Sequence, residues 1–173
     1  MDKLRIQASQ AYHEANNFAD LSDYADKKSL EYSFEGFGEQ YAAARNVNLT
    51  FACELYLKSL YLAKGNTPPK KHQLKQLFDG LEEELKQKIE TNYKAYHATF
   101  VPLTVLLEKH DDSFEKWRYY YELNSFDELS SFDPDTSELD STNSKIIEYH
   151  ITDMAHLEQA LKRVCIEVLE LQE

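Results

Sequence analysis

The segment from Ala43 to Lys64 constrains the fold more than any other part of the chain. It contains neither glycine nor proline. Wound as a helix at about 100° per residue, it sends Val47, Phe51, Leu55 and Leu62 to one side and Leu49, Cys53, Tyr56, Leu57 and Leu60 to the other. No continuous polar face is left, so a helix here belongs at the centre of a bundle, covered by neighbours. Glu54 and Lys58 interrupt the apolar surface, flanked by Val47, Phe51 and Tyr61. Their i, i+4 order, glutamate first, suits an ion pair. A partly buried ion pair is costly unless well paired, so this one is either a specificity device for packing or part of a site.

Helical signals continue on both sides. Residues 3 to 34 lack Gly and Pro and repeat Leu4, Ala8, Ala11, Ala15, Phe18 and Ala25 on one face, which predicts a first helix with a break near Ser22–Asp23. Gly36 and Gly38 end it. The second helix spans about Gln40 to Lys64 and stops at Gly65-Asn66-Thr67-Pro68-Pro69. A third begins near Lys71-His72, with an interruption at Asp79-Gly80. A fourth runs from about Leu81 to Phe100, and Leu103 to Lys109 forms a short one after Pro102. Phe114 to Glu122, the most aromatic stretch, reads as a short helix or an extended segment. Residues 124 to 144 are rich in Ser, Asp and Asn and read as a mobile loop. From Lys145 to Leu171 the apolar residues Ile147, Met154, Leu157, Leu161, Val164, Val168 and Leu171, with His150, form a heptad-like seam. The expectation is an all-α, up-and-down bundle of about five to six helices, with residues 1 to 173 as a single domain.

Composition excludes several function classes. The net charge of −12 disfavours duplex DNA, because phosphate contacts need a clustered basic face. The residues between Asp111 and Asp140 are especially acidic, with only Lys116 and Arg118 against them, and read as a solvated acidic surface. Both cysteines, Cys53 and Cys165, sit in apolar stretches and read as core residues of a reduced, cytoplasmic protein. No apolar run is long enough to span a membrane. No Gly-rich phosphate loop, HExxH or GxSxG is present. His150 and His156 share a helix six residues apart, on different faces, which is not a metal-ligand spacing. The sequence therefore predicts neither a metal nor a cofactor.

Two clusters remain as candidate sites. Arg45, Asn46, Glu54 and Lys58 lie on the central helix. Trp117, Arg118, the tyrosines after it and Glu122 form the other; aromatics beside an arginine can stack a base and hold a phosphate, and they can equally form a packed patch with an Arg118–Glu122 pair. His72, at a helix start after two lysines, is either an anion contact or an ordinary capping position.

Residues Ala44 to Leu60, reading Ala-Arg-Asn-Val-Asn-Leu-Thr-Phe-Ala-Cys-Glu-Leu-Tyr-Leu-Lys-Ser-Leu, resemble the central helix of HEPN domains. The Pro-rich turn followed by Lys71-His72-Gln73-Leu74-Lys75-Gln76-Leu77-Phe78 resembles the "His, x, Leu, x, x, Leu" start of the next helix in that family, and Phe114 to Glu122 resembles a later segment of some members. The resemblance implies a helical bundle, often dimeric, that binds nucleotides or RNA. Many members are metal-independent ribonucleases in toxin–antitoxin or phage-defence systems. Their signature is an arginine followed, after four to six residues, by a histidine; in such a site the histidine acts in acid–base chemistry and the arginine steadies the phosphate. None of Arg5, Arg45, Arg118 and Arg163 is followed by a histidine at that spacing. Arg118 matches the signature only by its surroundings.

The leading expectation is thus a non-catalytic HEPN-like module, a homodimer, binding a nucleotide, RNA or a protein partner through Arg45, Asn46, Glu54, Lys58, His72, Trp117 and Arg118. One alternative is a divergent metal-independent ribonuclease using Arg118 and Glu122. Another is a purely structural interaction bundle in which Glu54–Lys58 only specifies packing.

Overall fold

A computed structural model describes residues 3–33, 41–96, 101–110 and 143–171, with the backbone alone for 32, 33, 42 and 143–152. Six helices make up these residues: α1 (Lys3–Ser33), α2 (Ala42–Ala63), α3 (Leu74–Asp79), α4 (Glu83–Lys94), α5 (Leu103–Lys109) and α6 (Asn143–Leu169). No strand occurs among them.

The most extensive pairing joins α1 to α2. Side-chain bonds fix it as antiparallel. Ser59 Oγ donates to the Ala8 carbonyl (2.8 Å), Tyr56 OH to Asn16 Oδ1 (2.9 Å) and Ser22 Oγ to the Arg45 carbonyl (3.0 Å), so α2 numbers fall as α1 numbers rise. The buried line of α1 is Ala8, Tyr12, Ala15, Ala19, Ser22 and Ala25. Four small alanines let the two backbones approach closely, and Phe18 packs edge-on against Phe51 at 4.6 Å between ring centres. The expected break at Ser22–Asp23 does not occur. Ser22 is buried, and its hydroxyl finds an acceptor across the interface, so α1 continues to Ser33.

The remaining long helices complete an up-and-down bundle. Arg5, near the start of α1, donates to the Leu169 carbonyl and pairs with Glu170 at the end of α6. Lys88 on α4 pairs with Glu167, and Tyr96, just past α4, stacks on His156, which makes α4 and α6 antiparallel. The short helices α3 and α5 pack against each other, α3 also against α2 and α5 against α6. Leu49, Ala52, Cys53, Tyr56, Leu57 and Leu60 of α2 meet Leu74, Leu77, Leu85, Ile89, Leu106, Leu157, Leu161 and Val164 in one core. On the opposite side of α2, Leu55 and Leu62 are only partly buried. Each fully buried Leu or Ile contributes roughly 1.5–3 kcal/mol through removal from water. The seam of α6 is wider than a heptad: Ala160, Cys165 and Leu169 join Met154, Leu157, Leu161 and Val164, while Val168 is only partly buried. The side chains of Ile147 and His150 lie outside the described ones.

Several boundaries differ from those read in the sequence. α3 starts at Leu74, because Gln73 is its extended N-cap (ψ 117°), and His72 precedes the helix. α4 begins at Glu83 behind its N-cap Glu82, and is closed by Lys94 and Ala95. α6 ends at Leu169, where Glu170 turns to φ 56°. The aromatic stretch 114–122 and most of the expected loop at 124–144 fall outside the described residues.

The stop of α2 positions the site. Gly65 takes φ 81°, Asn66 N–H donates to the Tyr61 carbonyl (2.9 Å) and Gly65 N–H to the Leu62 carbonyl (3.0 Å). These two bonds satisfy the last carbonyls of the helix and turn the chain back along it. Pro68 and Pro69 then stiffen the return, which brings residues 70–73 beside the second half of α2. Tyr61 braces this turn from inside: its hydroxyl donates to the Leu77 carbonyl, and Gly80 leaves the room it needs, since a Cβ there would lie 2.2 Å from that oxygen.

Candidate functional site

Glu54 faces away from α1, at the edge of the core, with its side chain 1% exposed. Lys58, one turn on, donates from Nζ to Glu54 Oε1 at 2.6 Å. The backward turn after Gly65 delivers His72 to the same carboxylate, with Nδ1 3.0 Å from Oε1 and 3.2 Å from Oε2. A carboxylate only accepts, so Nδ1–H is the donor and the Nε2 edge of the ring is directed away from Glu54. The burial cost of the carboxylate is offset by two donors from different elements. Exposure rises outward, from Glu54 to Lys58 (20%) to His72 (52%), so a buried anion anchors two basic groups at the surface. His72 is thus not the helix cap, a place that Gln73 takes. It is a ring oriented by a buried glutamate.

Arg45 and Asn46 do not join this cluster. Arg45 lies nine residues before Glu54, roughly 13 Å along α2 and half a turn round it. Its Nη1 pairs with Asp26 of α1 at 2.7 Å and its Nε lies 3.4 Å from Asn46 Oδ1. These bonds tie the start of α2 to the end of α1. Trp117, Arg118 and Glu122 lie outside the described residues.

A second group of buried polar side chains was not singled out from the sequence. Glu158 of α6 is 4% exposed; its Oε2 accepts from Gln159 (2.7 Å), while Oε1 finds no hydrogen-bond partner among the described residues. Burial pushes its carboxyl above the usual range, Asp23 adds to the effect, and Tyr56 and Lys162 oppose it. Tyr56 is in turn pushed up by burial and by Glu158. Asp153, fully buried, accepts from the Val101 N–H at 3.2 Å and lies 3.9 Å from Nδ1 of His156. In the sequence, Glu158 and Lys162 are an ordinary i, i+4 surface pair; only the seam positions Leu157 and Leu161 beside them hint that the glutamate turns inward.

Among the described residues no group of three or more His, Cys, Asp or Glu side chains could hold a metal, and no helix is long and apolar enough to cross a membrane. Cys53 and Cys165 are free and buried, with thiols raised well above their usual range by burial, which suits packing rather than nucleophilic chemistry.

The HEPN domain family matches the chain over residues 24–132, which covers α2, the turn, His72 and the aromatic stretch. The chain belongs to the HEPN family. Searches of curated proteins and of solved structures gave no match. Within this HEPN domain, the three side chains that converge are the glutamate and lysine of the central helix and the histidine ahead of the next one.

Proposed function

We propose that this HEPN-family bundle is a non-catalytic module that binds a phosphate-bearing ligand, a nucleotide or RNA, through Lys58 and His72. The observation that carries the reading is the convergence of Lys58 Nζ and His72 Nδ1 on the buried Glu54 carboxylate. Glu54 holds both basic groups in fixed positions, which lowers the entropy lost when they grip an anion. The absence of an Arg-x4–6-His signature from the sequence supports binding without cleavage. Glu54 is the positioning residue; Lys58 and His72 are the contacts. Arg45 and Asn46 serve the α1–α2 junction in this reading.

Anisotropy titrations with labelled nucleotides and short RNAs test it. Saturable binding is expected for the wild type, weakened roughly tenfold by Lys58→Ala, the loss of one charge-assisted contact. Flat titrations with every probe would remove the ligand from the account and leave Glu54–Lys58–His72 as a packing device.

A further inference from the structure

We infer that Glu158 is a proton-operated latch: its neutral carboxyl heads a hydrogen-bond chain that seats α6 on the α1–α2 hairpin, and loss of the proton loosens α6 there before the rest of the bundle.

The direction of the chain carries the argument. Asn16 Nδ2 donates to the Tyr12 carbonyl at 3.0 Å. A carbonyl only accepts, so the Asn16 amide is fixed with Oδ1 turned to Tyr56. Tyr56 OH donates to that Oδ1 at 2.9 Å, which commits its one proton. Tyr56 is also the hydroxyl beside Glu158. It can accept from Glu158, but it can donate to Glu158 only by giving up Asn16. A carboxyl that keeps its proton completes the chain from α6 through α2 to α1. A carboxylate brings a second acceptor to a hydroxyl whose proton is already spent.

The setting makes the ionised form costly. Glu158 is 4% exposed, and its Oε1 has no hydrogen-bond partner among the described residues, while Oε2 accepts from Gln159 at 2.7 Å. Burying an ionised oxygen without a donor costs far more than burying a neutral one. Cys53 and Tyr56 face it from α2, with Tyr12 of α1 packed against the Tyr56 ring. Asp23 of α1 has the same charge, and Lys162, one turn on along α6, is the opposing cation. Burial first, and Asp23 after it, hold the carboxyl above its usual range.

The way α6 is held makes the response local. The hairpin keeps bonds of its own, from Ser59 to the Ala8 carbonyl and from Ser22 to the Arg45 carbonyl. α6 meets it through apolar contacts, through the weakly donating Cys165 thiol 3.5 Å from the Tyr56 carbonyl, and through Arg5 at the far end. A glutamate four residues ahead of a lysine gains on a helix surface. Ionised Glu158 therefore gains by turning out toward Lys162 and water, which opens the α6 side of the seam and leaves α1–α2 closed.

Amide hydrogen exchange of the intact protein, read by nuclear magnetic resonance between pH 5 and 8 and corrected for the intrinsic pH dependence of exchange, tests this. In the wild type, protection at residues 154–165 of α6 falls roughly tenfold more than at residues 49–60 of α2, the change that one unit of displaced pKa supplies. Glu158→Gln keeps a neutral donor of the same shape and abolishes the extra fall. Lys162→Met moves the fall to higher pH, because the cation that favours the carboxylate is gone. His156, stacked on Tyr96 at the α4 side, remains in both variants, so any part it plays persists in them. A fall that survives in Glu158→Gln, or no fall in the wild type, overturns the latch. Equal loss at α2 and α6 also overturns it and leaves Glu158 as a source of global instability alone. Should Glu158→Gln fail to fold, the wild-type and Lys162→Met profiles decide by the same criteria.

Discussion

Two buried glutamates in this protein meet opposite fates. Glu54 is contacted by a lysine and a histidine from separate elements, whereas Glu158 keeps one oxygen without a hydrogen-bond partner among the described residues. Glu158's carboxyl is raised in the folded state, so its contribution to stability is fully present below the unfolded value, near pH 4.3, and is lost as pH rises through the folded value. At neutral pH the ionised group therefore costs stability. Glu158→Gln is expected to stabilise the protein at pH 7 by about 1 kcal/mol or more, raising the melting temperature by about 2–4 °C per kcal/mol. The gain should shrink as pH approaches 4, and melting curves across that range check it; a gain that is equal at both ends would contradict the account. The Glu54–Lys58 pair was legible in the sequence, because an i, i+4 pair within an apolar helix has to be explained. His72 was legible as a candidate at a helix start, but not as a partner of Glu54. His72 stands eighteen residues from Glu54, and only the turn at Gly65 brings the two together. Arg45, by contrast, shares the helix with Glu54 but points to α1, where Asp26 could not be foreseen as its partner.

At the scale of elements, periodicity and chain breakers located every described helix, and their errors have local causes. Ser22 and Asp23 are poor helix formers, but tertiary hydrogen bonding overrides propensity and α1 runs through them. α3 starts after His72 because the glutamate claims the histidine and holds residues 70–73 out of the helix. The end of α2 is fully written in the sequence: glycine one residue past the cap, then two prolines. Gly65 sits at φ 81°, a conformation that costs a residue with a Cβ roughly 1–2 kcal/mol. Gly65→Ala should accordingly lower stability by about 1 kcal/mol in chemical denaturation. It should also weaken ligand binding, since this turn delivers His72. A variant with unchanged stability would mean that the turn is not set by this glycine.

For the whole molecule, the all-helical composition and the uncovered demands of α2 foretold the bundle, and the family match is consistent with it. The −12 charge disfavours duplex nucleic acid as a partner but carried no information on where a small anion could sit. That placement comes from topology: an antiparallel α1 covers one side of α2, and α3 with its leading turn folds over the other, leaving a carboxylate-anchored pair of basic groups at the seam. Backbone amide and histidine side-chain resonances, followed by nuclear magnetic resonance during titration with adenosine 5′-monophosphate, test this most directly. The account predicts saturable shifts concentrated at residues 54–58 and 70–74, including the His72 ring. Shifts confined to other surfaces, or none at saturating ligand, would contradict it.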